Sequence, residues 1–187
     1  MLVTAGAGGI ETTWAPFVVD RTGGDGIDLV AHVARANPHW RCADGAEGLA
    51  SFLVADSYVS PNWYPSKAEH GRAVPTWNYI AVEARGAVEL FHDEARLRDL
   101  LERLTRRHEA GEIAPWSMDQ APADYLDRLL GGIVGVRLHV VELTGVWKLG
   151  QNHSEADQAG VRAALSALGA PAELLDGVQS DLAATSA

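Results

Sequence analysis

Cysteine is nearly missing from this chain. Cys42 stands alone, so no intrachain disulfide can form. No apolar run is long enough to span a bilayer. The opening MLVTAGAGGI has neither the basic n-region nor the long apolar h-region of a signal peptide. Positive charge is also scarce. A net charge of −10 weighs against nonspecific binding to nucleic acid or an acidic membrane. Residues 150–187 sharpen this, with Glu155, Asp157, Glu173, Asp176 and Asp181 against the lone base Arg162. These features predict a cytoplasmic protein. GxSxG, Walker A, GxGxxG and HExxH signatures are all absent. The histidines are scattered, so no metal site is expected. Cys42 has no local signature of a nucleophile and reads as an incidental small residue. No catalytic residue is assigned.

With 47% hydrophobic and 21% charged residues over 187 positions, the chain reads as one globular domain, 1–187. Residues 1–91 are strand-rich. ETTWAPFVVD (11–20), IDLVAHVA (27–34), EGLASFLVAD (47–56) and VPTWNYIAVEARG (74–86) alternate or are β-rich, and RTGGDG (21–26) predicts a hairpin turn. The period then changes. Leu97, Leu100, Leu101 and Leu104 share one helical face behind an Asp93 cap, and PADYLDRLLGG (122–132) predicts a second helix, so helices occupy 93–132. A strand returns over 133–149, with a bulge expected near Val140–Val141. C-terminal helices are predicted over 154–183, the first capped by Ser154 and ended by Gly169, the last packing Leu174, Leu175, Val178 and Leu182. Strands first and helices late imply a mainly β fold with peripheral helices (α+β), as a small antiparallel barrel.

Three stretches concentrate polar donors. In AHVARANPHW (31–40), His32, Arg35, Asn37 and His39 sit where a strand meets an Asn-Pro turn. They suit an anionic or planar ligand, or else a salt bridge and a plain turn. YVSPNWYPSKAEHGRAVPTWNY (58–79) is held extended by its prolines around a polar turn, SKAEHG. Lys67, His70 and Arg72 form a basic knot within it. Strand alternation puts Thr76 and Asn78 on one face and Trp77 and Tyr79 on the other, which fits a ligand wall or an aromatic core strand. GVWKLGQNHS (145–154) ends a strand with Lys148, Gln151 and Asn152 before the Ser154 cap, an anion-favouring position or ordinary capping.

Together and in this order, HVARANPHW, YVSPNWYPSKAEHGRAVPTWNY and KLGQN resemble the PaiB family, also called FMN-binding negative transcriptional regulators. PWSMDQAP (115–122) and IVGV (133–136) fit the same pattern, and the resemblance covers nearly the whole chain. It implies a split β-barrel of the FMN-binding type, a homodimer with FMN at the subunit interface, and a role as a negative regulator of transcription. The alternative is a flavin-dependent oxidoreductase related to flavin reductases and pyridoxamine-phosphate oxidases. The implied cofactor-binding residues are His32, Arg35, Asn37, Ser60, Trp63, Lys67, Thr76, Trp77, Asn78, Lys148, Gln151 and Asn152. Among these, Arg35 and Lys67 are expected at the phosphate, and Thr76, Asn78 and Gln151 at the polar edge of the flavin ring. Relatives usually carry a further segment before LVT, and a strand lost there would expose a sheet edge. They also tend to have histidine at the position of Trp14 and serine at that of Gly150.

Overall fold

The computed structural model describes residues 1–6, 9–21 and 26–177. In chain order, the strands and helices are β1 (Leu2–Gly6), β2 (Gly9–Thr13), β3 (Val18–Arg21), β4 (Ile27–Ala34), α1 (Trp40–Ala43), β5 (Glu47–Val59), α2 (Lys67–His70), β6 (Thr76–Phe91), α3 (Glu94–Glu109), α4 (Ala123–Leu130), β7 (Ile133–Lys148), α5 (Glu155–Ala167) and α6 (Ala172–Gly177). The strands follow the order β2-β1-β5-β6-β7-β4-β3 in one antiparallel sheet. Contacts divide the chain into two compact units. The first is Met1–Ser51 with Glu83–Leu143, and the second is Phe52–Val82 with the chain from Thr144 on. β5, β6 and β7 each run from one unit into the other.

The first unit is built around α3. Asp93 caps it by accepting from Arg96 N at 2.8 Å, as the sequence predicts. Its leucine stripe buries Leu97, Leu100 and Leu104 against Val30, Phe91 and Leu130. Each such leucine contributes about 1.5–3 kcal/mol by leaving water. The Phe91 ring lies so close to Gly135 that a Cβ there would stand 2.2 Å from a ring carbon, so β7 needs glycine at this point. β3 and β4 pair as the predicted hairpin, Arg21 facing Ile27, although the tip of its turn lies outside the described residues. ETTWAPFVVD differs from expectation. It is split into β2 and β3, with Trp14–Phe17 outside any strand; Pro16 has no N–H to offer a ladder there. The LVT segment is not an edge, because β1 lies between β2 and β5.

The second unit holds the far ends of β5, β6 and β7 with α2, α5 and α6. Among the described residues its core includes a cluster of Ala55, Ile80, Leu149 and Leu174 and another of Val59, Tyr64, Val161 and Leu165. Ser154 caps α5 by accepting from Asp157 N, and Gly169 follows its end in the left-handed region (φ 69°), both as predicted. Gly160 lets α5 sit on the 61–63 turn, since a Cβ there would meet the Trp63 carbonyl at 2.2 Å. Of the predicted last helix, Leu174 is buried in α6, while Val178 and Leu182 lie outside the described residues. Among the described residues, no helix is long and apolar enough to cross a membrane.

Candidate functional site

The proline-rich segment before β6 is fixed by short local bonds. Ser60 Oγ accepts from Asn62 N, opening a tight turn over Pro61–Trp63. Ser66 donates twice to Asp157 of α5, from its backbone N at 3.0 Å and from Oγ at 2.8 Å. These bonds, the backbone one foremost, hold the Asp157 carboxyl below the usual carboxylate range. α2 ends at Gly71 (φ 66°), whose N donates to the Lys67 carbonyl. Arg72 N then donates to His70 Nδ1 at 3.0 Å, and β6 begins four residues later at Thr76.

The bend after β7 faces this segment within the second unit. Gly150 takes a left-handed conformation (φ 78°), and a Cβ on it would come within 3.2 Å of His153. A serine there is disfavoured by that backbone and would crowd the ring. Gln151 accepts from Leu149 N at 2.9 Å and donates to the Trp147 carbonyl at 2.7 Å, which locks the bend.

Between these walls lies a cleft of about 360 Å³, in the range of small-molecule sites (roughly 300–1,000 Å³). Five of the residues predicted for the cofactor line it: Thr76, Asn78, Lys148, Gln151 and Asn152. As the alternation of β6 predicts, Thr76 and Asn78 face the cleft while Trp77 and Tyr79 do not. Trp77 donates instead to Asp56 at 2.8 Å and meets Tyr58 edge-on. Asn78 is 2% exposed, and among the described residues its side-chain amide has no hydrogen-bond partner. Lys148 Nζ donates to Thr76 Oγ1 at 2.9 Å and to the Trp77 carbonyl at 2.7 Å. Because Thr76 Oγ1 accepts from the ammonium, its own O–H is left to donate.

Sequence reasoning missed the rest of the lining. Tyr64 stacks on His153 with ring centroids 4.7 Å apart. Burial, and then the charge of Asp157, push its phenol up, so it remains an O–H donor. Ser66, Arg72 and His153 complete the walls. The basic knot in SKAEHGR was the one available signal for Arg72; nothing local marks Tyr64 or His153. Arg72 and Lys148 line the cleft and, among the described residues, no carboxylate does, so it favours an anion.

The other predicted residues lie elsewhere. Ser60, Trp63, Lys67 and Trp77 belong to the second unit but not to the cleft lining, and Lys67 Nζ donates to Asn62 Oδ1. His32, Arg35 and Asn37 belong to the first unit. Arg35 donates to the carbonyls of Gly131 (2.8 Å) and Ile133 (3.1 Å). Asn37 donates to Thr13 and accepts from His39 N, while the buried His39 ring bonds Thr4 and Thr13, each at 2.7 Å. His32 Nδ1 is buried with no hydrogen-bond partner among the described residues, and burial lowers its pKa, so the ring is held neutral. These contacts make HVARANPHW a brace for the corner after β4. The first unit also has a larger groove, of about 560 Å³, between the end of α3 and residues 115–119. Glu102, Glu109 and Asp119 against Arg106 make it a poor place for a phosphate.

Comparison with known proteins bears on the family and the fold. The family described as "Putative FMN-binding domain" matches residues 1–142. An uncharacterized protein of Emericella nidulans is 27% identical over 87% of this chain and 78% of its own length. The protease synthase and sporulation protein PAI 2 of Bacillus subtilis is 31% identical over 71% of this chain and 62% of its own. Among solved structures, the flavocytochrome Anf3 from Azotobacter vinelandii superposes with a TM-score of 0.51 at 17% identity, covering 84% of this chain and 66% of that one. That likeness concerns the fold. The expected mainly β fold with peripheral helices, of split-barrel type, is the one observed.

Proposed function

The chain belongs to the PaiB-type family of FMN-binding domains, and from that premise we propose that it binds FMN in the cleft of its second unit. The observation that carries this reading is Asn78. The residue is buried, its side-chain amide makes no hydrogen bond to another described residue, and it opens onto a cleft lined by Arg72 and Lys148. A planar ligand with donors and acceptors along its edge satisfies it. The residues present therefore fit a flavin. Asn78 and the Thr76 hydroxyl meet the polar edge of the ring, and Asn152 borders it. Gln151, engaged with two backbone groups, shapes the bend and has one N–H left to offer. FMN, when bound, supplies the redox chemistry, while the protein supplies orientation and polarity.

The protein acts as a homodimer in this reading. In the second unit, Leu53, Tyr58, Trp77 and Trp147 are exposed by 46–63%. Exposed aromatics in that density are the mark of an interface core, and a second copy of the chain is the partner. Flavin-dependent oxidoreduction is the activity that a bound FMN would bring. The regulatory role implied by the PaiB resemblance is then exerted through the state of the flavin or a protein partner, because a net charge of −10 opposes direct contact with a phosphate backbone.

The test is to titrate purified protein with FMN and follow flavin fluorescence and the visible spectrum. One FMN per chain is expected, with a dimer in sedimentation. Failure of the wild-type protein to bind any flavin overturns the reading.

A further inference from the structure

We propose that Arg72 is the residue that selects the phosphorylated flavin, holding the FMN phosphate at the mouth of the cleft. This rests on the FMN reading above and names the group that makes the ligand FMN rather than riboflavin.

Four cations could take this role. The Arg35 guanidinium is engaged with the Gly131 and Ile133 carbonyls. Lys67 is engaged with Asn62 and is absent from the cleft lining. Lys148 lines the cleft, but its ammonium already donates to Thr76 Oγ1 and the Trp77 carbonyl, and it lies 5.9 Å from the centre of the Tyr79 ring. Arg72 also lines the cleft. Among the described residues its guanidinium has neither an ion pair nor a hydrogen bond; only its backbone N–H is used, toward His70.

Its backbone is held in place from both sides. Gly71 N donates to the Lys67 carbonyl at 2.8 Å, and Ala73 N donates to the Gly71 carbonyl at 3.1 Å. The guanidinium is thus a free fork of donors on a positioned backbone, bordering a cleft whose described lining has no carboxylate to neutralise it. Such a fork matches a phosphate's oxygens in two parallel hydrogen bonds. Asn78 and Thr76 occupy the strand side of the same cleft. The assignment places phosphate recognition on the loop before β6 and ring recognition on β6 itself.

The experiment measures FMN and riboflavin affinity side by side for wild type, Arg72→Met, Arg72→Lys, Lys67→Met and Arg35→Met, with apo-protein melting as a check on folding. Arg72→Met should weaken FMN by about tenfold to a hundredfold, the loss of a charge-assisted hydrogen-bond pair, and leave riboflavin within about twofold. Arg72→Lys should recover part of the loss. Lys67→Met should show no selective loss of FMN, and neither should Arg35→Met. Equal loss of both flavins in Arg72→Met, or no loss, overturns the assignment while leaving the FMN reading intact. A wild-type protein that binds neither flavin overturns both. Selective FMN loss in Lys67→Met or Arg35→Met, with Arg72→Met unaffected, moves the phosphate to that residue.

Discussion

In the first unit, Arg137 donates to Asp28 and Asp20, Arg103 also reaches Asp20, and Arg96 meets Glu89. In the second unit, Arg72 and Lys148 line a cleft that no carboxylate among the described residues enters. The chain is acidic overall, so the contrast does not come from a shortage of acids. Cations met by buried or half-buried carboxylates stabilise the fold. Cations left facing a concavity await charge from outside the protein. The network in the first unit also explains Glu89. Burial works to raise its pKa, but Arg96, His139 and Arg137 together hold it below the ordinary range.

The hardest test of this contrast is Arg137→Met. It leaves Asp28, 5% exposed, without its guanidinium. A loss of about 2–4 kcal/mol is expected in chemical denaturation, somewhat below the fully buried case, and it should not depend on added FMN. A change under about 0.5 kcal/mol, the range of an ordinary surface substitution, erases the distinction.

Asp157→Asn comes next, because that carboxylate pins Ser66 and so the cleft wall. Removing it should cost about 1–3 kcal/mol. Its pKa is depressed in the folded state, so its contribution is fully present above the unfolded carboxylate value of about 4. The contribution is lost as pH falls through the folded value. Wild type and Asp157→Asn should therefore converge in denaturant midpoint as the pH is lowered below about 4. A constant gap across that range contradicts the assignment.

Asn78→Leu should lower FMN affinity by about tenfold, the worth of one or two hydrogen bonds, and make the bound flavin harder to reduce. Apo-protein stability should barely move. A large apo loss with unchanged affinity makes Asn78 a structural amide and removes it from the site. The smallest effect is expected from Arg128→Ala. It breaks an exposed pair with Asp124, at 70% and 74% side-chain exposure, and should change stability by no more than about 0.5 kcal/mol in a melting curve.

Much of the frame was legible along the chain. The leucine stripe of α3, its Asp93 cap, the Ser154 cap and the alternation of Thr76 and Asn78 against Trp77 and Tyr79 are local or periodic features, and each is found where predicted. The break at Trp14–Phe17 was less visible, because Pro16 stands in a run that otherwise reads as strand. Arg35 and Lys67 look like the best phosphate ligands because they stand in recognisable motifs. Nothing near them in sequence announces that Gly131, Ile133 and Asn62 will engage them.

The sequence by itself determined most of the elements, the family and five residues of the cleft lining, because caps, periods and motifs act over a few residues. Only the tertiary structure decided which charges are neutralised. Asp28 meets Arg137 across more than a hundred positions, and Ser66 meets Asp157 across 91. Arg72 is left without a comparable partner among the described residues. A guanidinium is the same group in all three cations, Arg35, Arg72 and Arg137. Whether it braces the fold or receives a ligand depends on which acceptors long-range packing brings within about 3 Å.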